Sequence, residues 1–135
     1  MTDIFLDPSV LLLAVGGEHL WRAACRRVLA SAADGTTRLN LSVEGGQEYL
    51  FHRLRCTSRE AAVAEFGDVD ALAVWHSFDR AILHAARDLV RDTHLRGRDA
   101  VHAATALAAG FGSIVSCDSD FDGIPGLRRV DPTAL

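Results

Sequence analysis

Residues 2–15 read TDIFLDPSVLLLAV, and the fold turns on how this stretch is divided. A short apolar run closes on Asp7, and Pro8 behind it both stops a strand and presets the first turn of a helix. The helix through SVLLLAV is predicted to end at Gly16-Gly17. Downstream, Leu20, Trp21, Ala24, Cys25, Val28, Leu29 and Ala32 recur at helical spacing from Glu18 to Ala33, leaving Arg22, Arg26 and Arg27 on the other side. After the Asp34-Gly35 turn, RLNLS reads as a second strand, and Ser42 is a suitable N-cap for a helix running past Tyr49 towards Arg55. Gly45 and Gly46 are expected to weaken that helix by about 1 kcal/mol each.

The alternation continues to the end of the chain. Ser58 caps a predicted helix, SREAAVAEF, that closes at Gly67, and VDALAV (69–74) is short enough for a strand. Trp75, Phe78, Ile82, Ala85, Ala86 and Leu89 trace one helical face up to about Arg91. An alanine-rich helix is expected from about Arg98 to Ala109, with Gly110 behind it as a C-cap residue. GSIVSCD is a further apolar run ending in an acid, and GLRRVDP reads as an edge strand stopped by Pro132. Strands alternating with helices imply parallel pairing through right-handed crossovers. The expected fold is therefore a three-layer α/β/α sandwich around a central, mainly parallel sheet, in one domain spanning residues 1–135.

Composition narrows the function. Apolar residues (49%) and charged residues (24%) interleave throughout, so the chain is neither disordered nor membranous, and no apolar run approaches the roughly 20 residues of a spanning helix. Asp3 and Asp7 stand where a signal peptide would be positive, so the chain is expected to stay in the cytoplasm with no membrane partner. The net charge of -4 argues against a broad basic surface for nucleic acid. All 14 cations are arginines, a residue that grips phosphate bidentately, although a lysine-free chain is first of all a matter of composition. Cys25, Cys56 and Cys117 are odd in number with no C-x-x-C spacing, which reads as three reduced thiols.

In open α/β sheets, sites form outside the carboxyl ends of the strands. Asp7 and Asp118 end predicted strands, and Asp99 lies in the first turn of the alanine-rich helix. Each has an ordinary explanation as a cap, a dipole partner or a turn former. Two acids at strand ends and one at a helix start, all on the side where a parallel sheet opens, would together bring several carboxylates into one crevice. Like charges 4 Å apart repel by roughly 4 kcal/mol at an effective dielectric of 20, so protons or cations must neutralise the cluster. A hard divalent cation, Mg2+ or Mn2+, takes oxygen ligands and is completed by substrate phosphates. The chemistry indicated is hydrolysis of a phosphodiester in nucleic acid.

The order FLDPSVLL, QEYL, LRGRDAVHAATALAAG and IVSCDSDFD closely resembles the PIN domain of the VapC toxin type over nearly the whole chain. Its most specific piece is Arg98-Asp99-Ala100 opening a close-packed alanine helix. The resemblance implies a Mg2+- or Mn2+-dependent endoribonuclease, the toxin of a type II toxin–antitoxin pair. Its partners would be an RNA substrate, a cognate antitoxin that blocks the site, and a second copy in a homodimer. Carried over, Asp7, Glu48, Asp99 and Asp118 are the four metal-binding acids. Asp120 assists from outside, and Ser9 and Ser116 line the acidic pocket with hydroxyls. Apart from the resemblance, Arg98 and Arg96 flank Asp99 and either bind the RNA backbone, Arg98 being the better placed, or belong to a solvated face. Two departures stand out: Pro8 occupies a position where a small residue is common, and Gly45-Gly46 lie in the helix that aims the second acid. Glu44 is one turn from Glu48 on the same face, and spacing does not separate them. The apolar Tyr49, Leu50 and Phe51 following Glu48 match the family better.

The remaining residues carry two readings each. His102, one turn beyond Asp99, is a packing residue or a proton donor to the pocket. Arg91 belongs to a solvated face or to the RNA-binding set. Cys117 is expected to pack in the core, because neighbouring strand positions point to opposite faces. Trp21 and Trp75 are core or interface anchors, and Leu11, Leu12, Trp21 and Leu29 are core residues or an antitoxin-docking face. A haloacid-dehalogenase-type phosphotransferase also opens on a strand-terminal aspartate, but it needs a second acid where Ser9 stands, and a lysine. A receiver domain fails on the same lysine. A catalytically degenerate PIN interaction module is the non-enzymatic alternative, and the intact acids argue against it.

Overall fold

A computed structural model covering residues 1–135 shows strands β1 (Thr2–Phe5), β2 (Thr37–Ser42), β3 (Ala73–His76), β4 (Ser113–Val115) and β5 (Arg128–Val130). Six helices join them: α1 (Ser9–Val15), α2 (Arg22–Ala33), α3 (Val43–Cys56), α4 (Arg59–Asp70), α5 (Arg80–Asp92) and α6 (Gly97–Ala108). β1 pairs with β2, and β2 with β3, all parallel, while β4 and β5 form a second parallel pair. A parallel bridge between Leu6 and Val115 joins the two pieces, which aligns the carboxyl ends of β1 and β4.

Strand alternation divides the interior. Phe5 and Ile114 point into a core built with α5 and α6, and Leu6, Leu39, Leu41 and Val115 into a core built with α1 to α4. Helices therefore cover both faces, as the alternation required. On α6, Ala100, Ala103, Ala104 and Ala106 are all buried, and their small side chains let the helix lie close to the sheet. The caps read from the sequence are made: the Gly45 amide donates to Ser42 Oγ at 3.0 Å, and the Ala61 amide to Ser58 Oγ at 3.1 Å. None of the helices is long and apolar enough to cross a membrane.

Three boundaries differ from expectation. α2 starts at Arg22 rather than Glu18, because the Trp21 amide donates to His19 Nδ1 at 3.0 Å and closes a turn instead. Leu20 is consequently 90% exposed rather than part of an apolar stripe. α4 runs through Gly67 to Asp70, so the following strand is Ala73–His76 rather than VDALAV. Trp75 and Phe78 are thus not on α5, which starts behind its Asp79 cap. Trp75 sits in β3 opposite Leu41, its ring stacked on Phe66 at 5.9 Å and its indole N–H donating to Asp70 at 2.7 Å. Its aromatic edge also explains Gly46. A Cβ there would meet the Trp75 ring at 2.8 Å, so the glycine permits close contact between α3 and β3 rather than loosening the helix.

Candidate metal centre

Asp7 lies two residues past the end of β1, just after the Leu6 bridge, and is buried, its backbone N–H donating to Val115 O at 3.0 Å. Its Oδ2 accepts from Ser116 O–H at 2.9 Å and from the Ser9 amide at 3.3 Å. Ser116 Oγ in turn accepts the Asp118 amide at 2.9 Å, and Ser9 Oγ accepts the Cys117 amide at 3.1 Å. Two hydroxyls, one after each strand, thus lock the ends of β1 and β4 together and hold Asp7 in place. The Asp120 amide donates to Asp118 Oδ1 at 2.8 Å, which curls the chain so that both carboxylates face the same side.

Asp99, in the first turn of α6, is shared by two groups of ligand atoms. Asp7, Asp99 and His102 have donor atoms within 4.8 Å of one another, and so do Asp99, Asp118 and Asp120. Glu48 reaches the edge of this cluster from α3, its Oε2 3.5 Å from His102 Nε2 and its Oε1 3.8 Å from Arg98 Nε. Several other carboxylates have arginine partners, as in Asp3 with Arg38 and Asp122 with Arg129. Asp7, Asp99 and Asp118 have none.

The electrostatics follow from that imbalance. Burial pushes the Asp7 carboxyl upward, and burial together with Asp7 and Asp118 pushes Asp99 up to about 6. Glu48 is held below its ordinary value, chiefly by the His102 ring and further by Arg98. A set of buried and half-buried carboxylate oxygens, short of positive charge, fits a hard divalent cation such as Mg2+ or Mn2+.

The other sequence candidates fall around this centre. Glu44 lies one turn before Glu48, without a hydrogen bond or ion pair, and outside the cluster. Arg98 and Arg96 are exposed at the start of α6, and Arg96 has no carboxylate partner. Arg91 is paired with Asp88 and Asp92 on the exposed side of α5, which is the solvated-face reading. Cys117 packs on the α1 to α4 side with its Sγ 3.6 Å from Cys25 Sγ. Burial and Cys25 push its thiol up to about 12, so it supplies no thiolate beside Asp118. Leu11 is fully buried and leaves the docking set, and Leu29 packs against the same core. Leu12 and Trp21 instead join Leu13, His19 and Leu20 in an open trough of about 690 Å³ that reaches Ser9 and Asp118. Of the two readings of His102, burial fits the packing residue, and its place beside Asp7 and Asp99 is the approach to the pocket that its one-turn spacing from Asp99 allowed.

A family model described as the PIN domain matches residues 4–127. The chain is 30% identical over 131 residues to ribonuclease VapC13 of Mycobacterium tuberculosis, covering 94% of this chain and 98% of that protein. It is 33% identical over 135 residues to ribonuclease VapC7 of the same organism, covering 97% and 92%. Its fold matches a chain of VapBC2 from Rickettsia felis, solved bound to a promoter DNA fragment, with a TM-score of 0.76 at 13% identity over 96% of this chain and 98% of that one.

Proposed function

The chain belongs to the PIN domain family, and from that premise we propose that it is a divalent-metal-dependent endoribonuclease, the toxin of a toxin–antitoxin pair. Relatives named VapC ribonucleases match it nearly end to end, and solved VapBC assemblies share its fold. The observation that carries the reading is the convergence of Asp7, Asp99 and Asp118, from three distant segments, with no arginine to neutralise them.

Asp7, Glu48, Asp99 and Asp118 hold one or two Mg2+ or Mn2+ ions, with Asp120 beside Asp99 and Asp118. Bound there, the ion supplies Lewis acidity towards the scissile phosphate and lowers the pKa of an attacking water. The chain's own groups do the rest. Ser116 and Ser9 fix the Asp7 carboxylate, leaving Oδ1 free to face the cluster. Arg98 and Arg96, exposed at the mouth, bind the phosphates of an RNA strand on either side of the cleaved bond. The trough of Leu12, Leu13, Leu20 and Trp21 beside Asp118 suits an apolar antitoxin segment whose end reaches the acids.

The test is cleavage of single-stranded RNA by the purified chain, with the product ends sequenced. Cleavage that requires Mg2+ or Mn2+, stops with chelator and is lost in Asp118→Asn supports the reading. Cleavage that persists in chelator, or in that variant, refutes it.

A further inference from the structure

His102 is 1% exposed, and the role proposed above for the acids does not use it. Its Nε2 is buried without a hydrogen-bond partner and is directed at the acid cluster, 3.5 Å from Glu48 Oε2. On the other side of the ring, Nδ1 lies 2.8 Å from Ser42 Oγ. Ser42 is itself 1% exposed, and its Oγ already accepts the Gly45 amide at 3.0 Å. The serine proton has one acceptor within reach, His102 Nδ1. A neutral imidazole carries a single N–H, so a nitrogen that accepts at Nδ1 leaves the proton on Nε2.

Resting on the metal-centre reading, we propose that His102 is a positioning residue for the second acid: Ser42 fixes the ring with its proton on Nε2, and that N–H orients the Glu48 carboxylate towards the cluster. The alternative, Nε2 as a metal ligand, requires Nδ1–H to donate to Ser42 Oγ. That arrangement strands the serine proton in a buried site, at a cost of the order of an unmade hydrogen bond. A donor at Nε2, by contrast, finds a carboxylate beside it. Gly45 lies close to the same groups: a Cβ there would stand in ordinary contact, 3.4 Å from Ser42 Oγ, 3.5 Å from Pro8 Cδ and 3.7 Å from His102 Cε1, so the start of α3 packs against both Pro8 and α6. Serine, histidine and glutamate thus form one relay of orientation, running from the cap of α3 through α6 and back to α3.

Two measurements test this. In the 15N-histidine-labelled chain, long-range proton–nitrogen correlations should report His102 as the Nε2–H tautomer, with and without saturating Mg2+. A bare Nε2, either before Mg2+ or because of it, overturns the proposal. Calorimetry with Mn2+ alone then separates a residue that acts through Glu48 from one that acts by itself. His102→Leu should weaken Mn2+ binding roughly ten-fold, in the range typical of residues that support a ligand. His102→Gln, which keeps a donor, should recover most of that loss. In a Glu48→Gln background His102→Leu should cost nothing more, because the two act in series. Independent, multiplying losses overturn the proposal. If Asp99→Asn leaves Mn2+ affinity untouched, the metal-centre reading falls and takes this proposal with it. If Asp99 is needed but His102 and Glu48 act independently, this proposal alone falls.

Discussion

Replacing Asp99 by Asn should make the metal-free protein more stable and the metal-loaded protein less so. The Asp99 carboxyl is raised from 3.8 to about 6 by burial and by Asp7 and Asp118. At about 1.4 kcal/mol per unit, ionising it at pH 7.5 costs the fold about 3 kcal/mol before screening. The group is only half-buried, so water reduces that to about 1.5 kcal/mol. The α6 dipole favours a carboxylate in its first turn by about 0.5 kcal/mol, leaving a net cost of about 1 kcal/mol. Asn at this position should therefore raise the metal-free melting temperature by about 4 °C at pH 7.5. The pH dependence has a definite sign. Between about pH 4 and 6 the folded state binds more protons at Asp99 than the unfolded state, so wild-type stability falls as pH rises through this window. The variant's advantage accordingly opens from pH 4 to 6 and is full above about 7. Mn2+ at a hundred times its dissociation constant stabilises the wild type by about 2.7 kcal/mol, a gain the variant should lack. The order of melting reverses when Mn2+ is added. Circular dichroism melts at pH 5 and 7.5, with chelator and with Mn2+, provide the assay. An Asn variant that melts below wild type in chelator at pH 7.5 would refute the reasoning, since Asp99 would then be stabilising the helix rather than straining a cluster.

Further outcomes follow from single contacts. Gly46→Ala drives a Cβ to 2.8 Å from the Trp75 ring and should destabilise by about 1–3 kcal/mol in denaturant unfolding, whereas Gly67→Ala, with nothing within 4 Å, should stabilise α4 by about 1 kcal/mol. Glu48→Gln should weaken Mn2+ binding at least ten-fold by calorimetry while Glu44→Gln leaves it unchanged, an order that would reverse if Glu44 were the second acid. Leu20→Asp, at a side chain 90% exposed, should leave melting and Mn2+ affinity alone yet weaken cognate antitoxin binding ten-fold or more. Unaltered antitoxin affinity would remove the trough as its docking surface.

Much of this molecule is written locally. Apolar runs closed by Asp7 and by Asp118, an alanine helix opened by Asp99, and serine caps at 42 and 58 are read within windows of about ten residues, where backbone propensity and hydrophobic period operate. Such signals establish which acids stand at the open end of a parallel sheet. They do not establish contacts between distant segments. Trp75 fits a helical period as well as a strand, and only the pairing of β3 with β2 and the space left by Gly46 put it in the sheet. Leu11 and Leu12 are adjacent and equally apolar, yet one is fully buried and the other, half-buried against the same core, also lines the trough, because successive residues of α1 point about 100° apart and the neighbouring segments cover only one of these directions completely. The Ser42–His102 contact joins residues 60 apart. A side chain's burial, and the partner waiting for its hydrogen bond, are set by whichever segment packs against it, and that information exists only once the chain has closed on itself.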